Sequence, residues 1–305
     1  MKLDYSKFST DLELFAKQVV EGFITGKHKS PFHGFSVEFA EHRQYNRGES
    51  TRHIDWKLYA RTKKLFNKKY EEETNLRCQI IIDNSSSMYY PDRSKIDLQN
   101  PNKIFFAIYA SAVLINLLKK QRDAVGISIA SNQLEFHTTS KTTQRHHKIL
   151  FEELGKLLES NSISRDTDLS TPLHQICEMI NKRSLVIVFT DFLHKDKSVE
   201  EQFEPYRHMK YKQHEVLLFY LNESKTEANL EFENQYYNFI DMETKEEIKV
   251  NPQQLESSYK EMFSNHVNNI KNQCFKNKIE FIEVDINRGF DSVIESYLLK
   301  RKKMI

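Results

Sequence analysis

The segment from Cys78 to Ser87, CQIIIDNSSS, joins the pattern of a buried strand to a set of polar side chains. Its first half is an apolar run followed by turn-forming residues, a pattern typical of a buried strand in the middle of a parallel sheet. Its second half places Asp83, Ser85 and Ser87 at alternate positions directly after that strand. Because open α/β sheets bind ligands at the carboxyl ends of their strands, we predict a binding site here.

The donor set indicates which ligand the site takes. One carboxylate and two hydroxyls suit a hard divalent cation that keeps some of its water and accepts one further oxygen from a partner. We therefore predict that Asp83, Ser85 and Ser87 hold Mg²⁺, or Mn²⁺ or Ca²⁺. Serine and aspartate also cap helices, and capping is the alternative for each residue taken alone.

Two later segments complete the pattern. Residues 184–191 (SLVIVFTD) form a second apolar strand that ends in Thr-Asp, and residues 165–169 (RDTDL) lie between the two strands. In this order the three segments resemble the metal-ion-dependent adhesion site of von Willebrand factor A domains. The resemblance implies that Thr167 is a further ligand and that Asp191 accepts hydrogen bonds from metal-bound water. The first two residues of the 165–169 loop stand where that family usually has glycines, which predicts a differently shaped loop.

A second resemblance lies upstream. The segments 36–39 (SVEF), 43–45 (RQY), 52–56 (RHIDW) and 60–61 (AR) are similar to the signature of domain-of-unknown-function family 58. Members of that family are bacterial and often paired with MoxR-type AAA+ ATPases, so the resemblance implies such an ATPase, or its client, as the partner. Within the signature we single out Arg43, Tyr45, Arg52, Asp55, Trp56 and Arg61. We interpret this set as a structural cluster with a buried Arg–Asp pair and a packed tryptophan, and partner binding is the alternative.

Strand and helix patterns alternate from residue 77 onward. This predicts an α/β fold with a mostly parallel, Rossmann-like sheet and helices on both faces. We assign residues 77–305 to a von Willebrand factor A-like domain and residues 1–76 to a small N-terminal module of helix and β-strands. Predicted strands cover 78–83, 124–130, 133–138, 184–190, 214–221 and 279–285, with an added hairpin at 236–241 and 247–250. Predicted helices cover 102–120, 144–159, 171–182, 198–212, 253–277 and 290–303.

The segment 43–69 is basic. It carries nine lysines and arginines against Glu49 and Asp55, with aromatic residues among them. We interpret it as a solvated hairpin whose charges pair with the glutamates at 71–73, because runs of charge are usually solvated. The alternative is a metal-dependent phosphodiesterase or nucleic-acid-binding protein that uses this segment. We favour the first interpretation and expect no nucleic-acid partner.

The cysteines indicate the compartment. Cys78, Cys177 and Cys274 are isolated and odd in number, which argues against a disulfide framework or a zinc site and for a reducing compartment. No apolar stretch reaches the roughly 20 residues that a membrane span needs, and no signal peptide is visible. We therefore expect a cytoplasmic protein without a membrane span.

The chemistry predicted for the site is binding rather than catalysis. A two-metal hydrolase needs several carboxylates in one site, whereas only Asp83 and Asp191 are well placed. The sequence contains no P-loop and no G-x-S-x-G motif. We therefore predict a non-enzymatic, metal-dependent protein-interaction module.

Overall fold

The computed structural model describes residues 12–26, 39–44, 56–70, 76–93, 95–160, 168–193, 197–242 and 246–304. This part of the chain divides into two compact units. Residues 12–23 and 76–304 form one, called the sheet unit below. The described residues between 24 and 75 form the other, called the small unit.

The strands and helices are numbered in chain order. The strands are β1 Phe39–Gln44, β2 Phe66–Tyr70, β3 Arg77–Asp83, β4 Ala124–Ala130, β5 Leu134–His137, β6 Leu185–Thr190, β7 Glu215–Asn222, β8 Tyr237–Ile240, β9 Glu247–Val250 and β10 Glu280–Asp285. The helices are α1 Leu12–Gly26, α2 Trp56–Thr62, α3 Lys103–Lys120, α4 Gln144–Glu159, α5 Ser170–Met179, α6 Val199–Gln202, α7 Glu204–Tyr211, α8 Pro252–Lys276 and α9 Asp291–Met304. The strands and helices predicted from residue 77 onward are all present, and the predicted helix at 198–212 is divided into α6 and α7.

The central sheet has six strands in the order β10-β7-β6-β3-β4-β5. Its neighbouring strands run parallel, apart from the antiparallel edge pair β4 and β5. β3 lies between β6 and β4, and every residue of β4 and β6 is buried. Strands this apolar require cover on both faces of the sheet. The predicted α/β architecture with a mostly parallel sheet is therefore confirmed.

Two groups of helices cover the sheet. α5, α7 and α8 contribute Leu173, Tyr206 and Ile270 to a core cluster with residues of β3, β6 and β7. α3 packs with α4 and α9 and contacts β3 and β4. Residues 103–118 of α3 are all buried, as expected for a helix that is apolar around its whole circumference.

The N-terminal helix α1 belongs to the sheet unit, which differs from the predicted boundary at residue 76. Phe15 is buried, and its ring meets Tyr109 of α3 edge-on with centroids 4.8 Å apart. A second edge-on contact joins Phe15 to Phe290 at 5.7 Å. The apolar face of α1 needs a core to pack against, and α3 supplies it. The longer part of the sheet unit begins at Leu76.

The small unit contains β1, β2 and α2 within its described residues. β1 and β2 pair antiparallel, with Gln44 opposite Phe66. The short alternating stretches of residues 31–76, such as 65–70, favour strands and turns over helix. β2 agrees with this prediction, and α2, which is helical, contradicts it. Leucine, alanine, lysine and arginine favour a helix there, and seven residues are too few for hydrophobic periodicity to separate helix from strand.

Candidate functional site

Asp83 ends β3 and is fully buried. Its Oδ1 accepts a hydrogen bond from the backbone N–H of Ser85 at 2.9 Å, and its Oδ2 accepts one from the Thr190 hydroxyl at 2.7 Å. Burial, and after it the charge of Asp191, raises the pKa of Asp83 to about 7. The hydrogen bonds from Thr190 and Ser85 act in the opposite direction. The fold therefore gives this carboxyl two hydrogen-bond donors in a buried position, where a negative charge costs free energy.

Ser85 and Ser87 follow Asp83 on a tight turn. A 3-10 turn over Ser86–Tyr89 brings the two hydroxyl oxygens to 3.1 Å from each other. The Ser87 hydroxyl donates to Oδ1 of Asp191 at 3.1 Å, so Ser85 is the donor between the two serines. Hydrogen bonds thus connect Asp83 through both serines to Asp191.

β6 brings the second aspartate to the same edge of the sheet. It pairs with β3 in parallel, so Thr190 and Asp191 lie at the carboxyl edge beside Asp83. Asp83 thus ends β3, and Asp191 directly follows its parallel neighbour β6. Phe192 then adopts a left-handed conformation with φ of 54°, and its N–H donates to the Thr190 hydroxyl at 3.1 Å. The Thr190 hydroxyl therefore bonds both the Asp83 carboxyl and the turn that follows β6.

A buried lysine stands beside Asp191. The side chain of Lys103, the first residue of α3, is 0% exposed. Its Nζ donates to Oδ2 of Asp191 at 2.7 Å and to Oε1 of Glu227 at 2.6 Å, and lies 5.7 Å from the centroid of the Tyr90 ring. Burial lowers the pKa of Lys103, but the charges of Asp191 and Glu227 outweigh it and raise the pKa overall. The side chain is therefore an ammonium ion within the fold.

Glu227 reaches the site from the turn that follows β7, the strand next to β6. It lies in a π-helical turn at Ser224–Ala228, and π-turns are frequent at functional sites. Its Oε2 accepts from the backbone N–H of Glu223 at 2.9 Å, and its carbonyl accepts from the Tyr259 hydroxyl at 2.8 Å. Burial raises the pKa of Glu227, and Lys103 lowers it in part. Three adjacent strands thus deliver charged groups to one edge of the sheet.

Lys103 and Glu227 were not predicted as site residues. The sequence carries one signal for Lys103, because it places a cation in the first turn of an apolar helix, where the helix dipole disfavours positive charge. Such a lysine needs carboxylates nearby. Glu227 has no comparable signal, since its partner Lys103 lies 124 positions away along the chain.

A cavity of about 490 Å³ lies beside the site. Ser87, Lys103 and Glu227 line it together with the apolar residues Leu230 and Phe239. A group that enters this cavity therefore meets hydroxyl and charged atoms as well as apolar side chains.

Some predicted residues lie outside the described part of the chain: Thr167, Tyr45, Arg52 and Asp55. Arg43 is described only by its place in β1. Asp168, next to Thr167, accepts hydrogen bonds from Lys197 Nζ with both carboxylate oxygens at 2.7 Å and from the Ser170 N–H at 3.0 Å. These contacts give Asp168 a local role at the start of α5.

The expectation of a packed tryptophan is wrong. Trp56 is 61% exposed at the start of α2, and its ring meets that of Tyr59 edge-on with centroids 6.1 Å apart. Arg61 and Lys57 on the same helix are exposed as well. A helix without buried residues cannot form the core of a structural cluster, so that interpretation fails for Trp56 and Arg61. The predicted charge pairing with the glutamates at 71–73 lies outside the described residues.

Two further findings concern metals and membranes. Within the described ranges, no group of three or more His, Cys, Asp or Glu side chains is arranged to hold a metal ion. The site around Asp83 is of another kind, since two of its four side chains are serine hydroxyls. In the same ranges, no helix combines the length and apolar character needed to cross a membrane. Cys78, Cys177 and Cys274 are buried free thiols.

The chain belongs to the family described as "Protein of unknown function DUF58", whose model matches residues 41–269. This confirms the family resemblance predicted from the upstream signature. Curated relatives include the uncharacterized proteins Mb1516 of Mycobacterium bovis and Rv1480 of Mycobacterium tuberculosis, both 23% identical over 184 residues. The match covers 60% of this chain and 55% of each relative. The chain thus spans about half the length of the curated relatives that it matches.

The solved structures that are similar to the chain include two proteins from Bacteroides. One is the conserved hypothetical protein BatB from Bacteroides thetaiotaomicron, with a TM-score of 0.48, 15% identity, and coverage of 75% of this chain and 100% of that one. The other is an aerotolerance-related membrane protein from Bacteroides fragilis, with a TM-score of 0.46, 14% identity, and coverage of 74% and 97%.

Proposed function

We propose that the chain is a non-enzymatic protein-interaction module that binds its partner through a divalent cation at the carboxyl edge of the sheet. One observation carries the proposal: Asp83, Ser85, Ser87 and Asp191 are joined by hydrogen bonds across two neighbouring strands. Asp83, Ser85 and Ser87 would hold the ion, Mg²⁺ or else Mn²⁺ or Ca²⁺, together with Thr167 from the loop before α5.

The residues present fit such an ion. Ser87 directs its proton toward Asp191 and accepts one hydrogen bond from Ser85, which leaves one lone pair of its oxygen available to a cation. Asp191 already accepts from Ser87, from Lys103 and from the Leu193 N–H at 3.3 Å. It is therefore suited to orienting hydroxyls and waters around the ion more than to direct ligation. When bound, the ion supplies Lewis acidity toward one further anionic oxygen.

The fold supports a finer assignment, a von Willebrand factor A-like domain. D-x-S-x-S follows the strand β3, and Thr-Asp ends its parallel neighbour β6, in the order that the adhesion-site resemblance implies. We assign Asp83, Ser85, Ser87 and Asp191 to that site on the strength of this order together with their hydrogen bonds.

The cavity beside Ser87 supports a protein ligand. Its apolar part, with Leu230 and Phe239, suits an apolar residue next to the partner's acidic side chain. The family resemblance implies a MoxR-type AAA+ ATPase, or the client it remodels, as the partner. The buried thiols of the three cysteines support a reducing compartment, and we propose the cytoplasm.

The test is binding of a purified MoxR-type ATPase from the same organism to the immobilised chain. We expect binding in Mg²⁺ and a loss of at least about tenfold, or 1.4 kcal/mol, both in EDTA and for Asp83→Ala. Asp92→Ala is the matched control, because it removes the same charge from an exposed position. Circular dichroism of each variant confirms the fold. Binding that is equal in Mg²⁺, in EDTA and after Asp83→Ala would refute the proposal.

A further inference from the structure

The carboxyl edge of the sheet already contains a cation of the protein's own. The Lys103 ammonium is fully buried and bonds two carboxylates, Asp191 at 2.7 Å and Glu227 at 2.6 Å. A buried lysine is costly unless it is paired and hydrogen-bonded. Here both hydrogen bonds of the ammonium are short. The backbone N–H of Glu223 holds Glu227 in place by donating to its carboxylate.

Asp191 is shared between this ammonium and the proposed metal ligands. Its Oδ2 accepts from Lys103, and its Oδ1 accepts from Ser87. An ion held by Ser87 would therefore face the ammonium across a single carboxylate. The ion and the ammonium would repel each other, because a single carboxylate separates them and the Lys103 side chain is fully buried.

The number of charges at this edge of the sheet also indicates that Lys103 lowers the affinity for a cation. Asp83, Asp191 and Glu227 contribute three negative charges when ionised, and Lys103 contributes one positive charge. The remaining charge of −2 is the amount that one divalent cation neutralises. Without the ammonium, the same edge would carry −3 and attract a divalent cation more strongly.

We propose that Lys103 is a positioning residue that limits the affinity of the Asp83–Ser85–Ser87 site for a divalent cation. Its ammonium pairs with Asp191 and Glu227 and so supplies a positive charge beside the site. The inference rests on the proposed function, since it concerns the affinity of that same site. Its consequence is a weakly held, exchangeable ion whose retention depends on the carboxylate that a partner adds. A purely structural role for Lys103 would affect folding stability and leave cation affinity unchanged.

The experiment is Mn²⁺ titration of the full chain by isothermal calorimetry after removal of bound metal. Lys103→Met should bind Mn²⁺ about tenfold more tightly than the parent, or better, because the repulsion is removed. Glu227→Gln should bind more weakly, since it removes a negative charge and leaves the ammonium. The double variant Lys103→Met/Glu227→Gln restores the charge of −2 and should bind close to the parent.

The outcomes separate this inference from the proposed function. A folded Lys103→Met with an affinity within twofold of the parent overturns the inference, while loss of parent binding in Asp83→Ala still supports the metal site. Mn²⁺ binding by Lys103→Met but not by the parent supports the inference, because the parent then retains the ion only when a partner adds its carboxylate. Absence of binding in both overturns the inference. If Lys103→Met does not fold, Glu227→Gln decides, and an unchanged affinity in that variant overturns the inference.

Discussion

Thr190→Val removes one hydroxyl that serves two partners at the centre of the site. The hydroxyl donates to Asp83 at 2.7 Å and accepts from the Phe192 N–H at 3.1 Å, and the residue is 1% exposed. A hydrogen bond to a charged group contributes about 1.5–3 kcal/mol, and a buried N–H left without an acceptor costs about 1–3 kcal/mol. Because both terms involve one hydroxyl, they do not add fully. We expect the free energy of unfolding to fall by about 2–4 kcal/mol.

Urea unfolding followed by far-UV circular dichroism measures this loss. Tryptophan fluorescence is unsuitable, because the single tryptophan, Trp56, lies in the small unit while Thr190 lies in the sheet unit. Thr143→Val is the matched control, since Thr143 is exposed and its side chain makes no capping hydrogen bond to α4. The control should change the free energy by less than about 0.5 kcal/mol. If Thr190→Val were as stable as the control, the hydrogen bonds assigned to Thr190 would be wrong.

Three further predictions test other parts of the structure. Phe15→Ala should destabilise the sheet unit by about 3–5 kcal/mol, because Phe15 is buried. The control Leu14→Ala changes a residue that is 46% exposed and should cost under about 1 kcal/mol. Equal effects of the two substitutions in urea unfolding would contradict the packing of α1 on α3. In EDTA, the free energy of unfolding should fall as the pH rises from about 4 to 7, because folding raises the pKa of Asp83 from 3.8 to about 7 and the folded chain keeps a proton that the unfolded chain loses. A slope that persists in Asp83→Asn would exclude this cause. Trp56→Ala should change stability by less than about 0.5 kcal/mol, as is usual for exposed positions, and a loss of several kcal/mol by circular dichroism would show that Trp56 is packed.

The sheet unit was predictable because its strands carry a strong signal. β3, β4 and β6 are continuous apolar runs bounded by turns, and such runs are hard to accommodate outside a covered parallel sheet. Once two of them end in Asp83 and Asp191, the parallel arrangement forces both aspartates to the same edge. The position of α1 was not predictable in the same way, since an apolar stripe shows that a helix packs but not which partner it packs against.

The serine hydroxyls and the aspartates of the site could be predicted from the sequence, whereas the balance of charges around them could not. Asp83, Ser85 and Ser87 lie close together in the chain, so their spacing alone places them together. Lys103 and Glu227 meet only through the tertiary fold, at a sequence separation that no local pattern spans. The exposure of Trp56 was missed for a related reason, because α2 is too short for its own periodicity to show which side is buried.

The packing of Phe15 has a consequence for biosynthesis. Its ring partners, Tyr109 and Phe290, follow it by about 95 and about 275 residues. At 5–20 residues per second, the nascent chain carries the apolar face of α1 for roughly 5–20 s before Tyr109 is made and roughly 14–55 s before Phe290 is made. During that interval the helix is without its final neighbours while the ribosome translates the remaining strands. We therefore expect a ribosome-associated chaperone to act on α1.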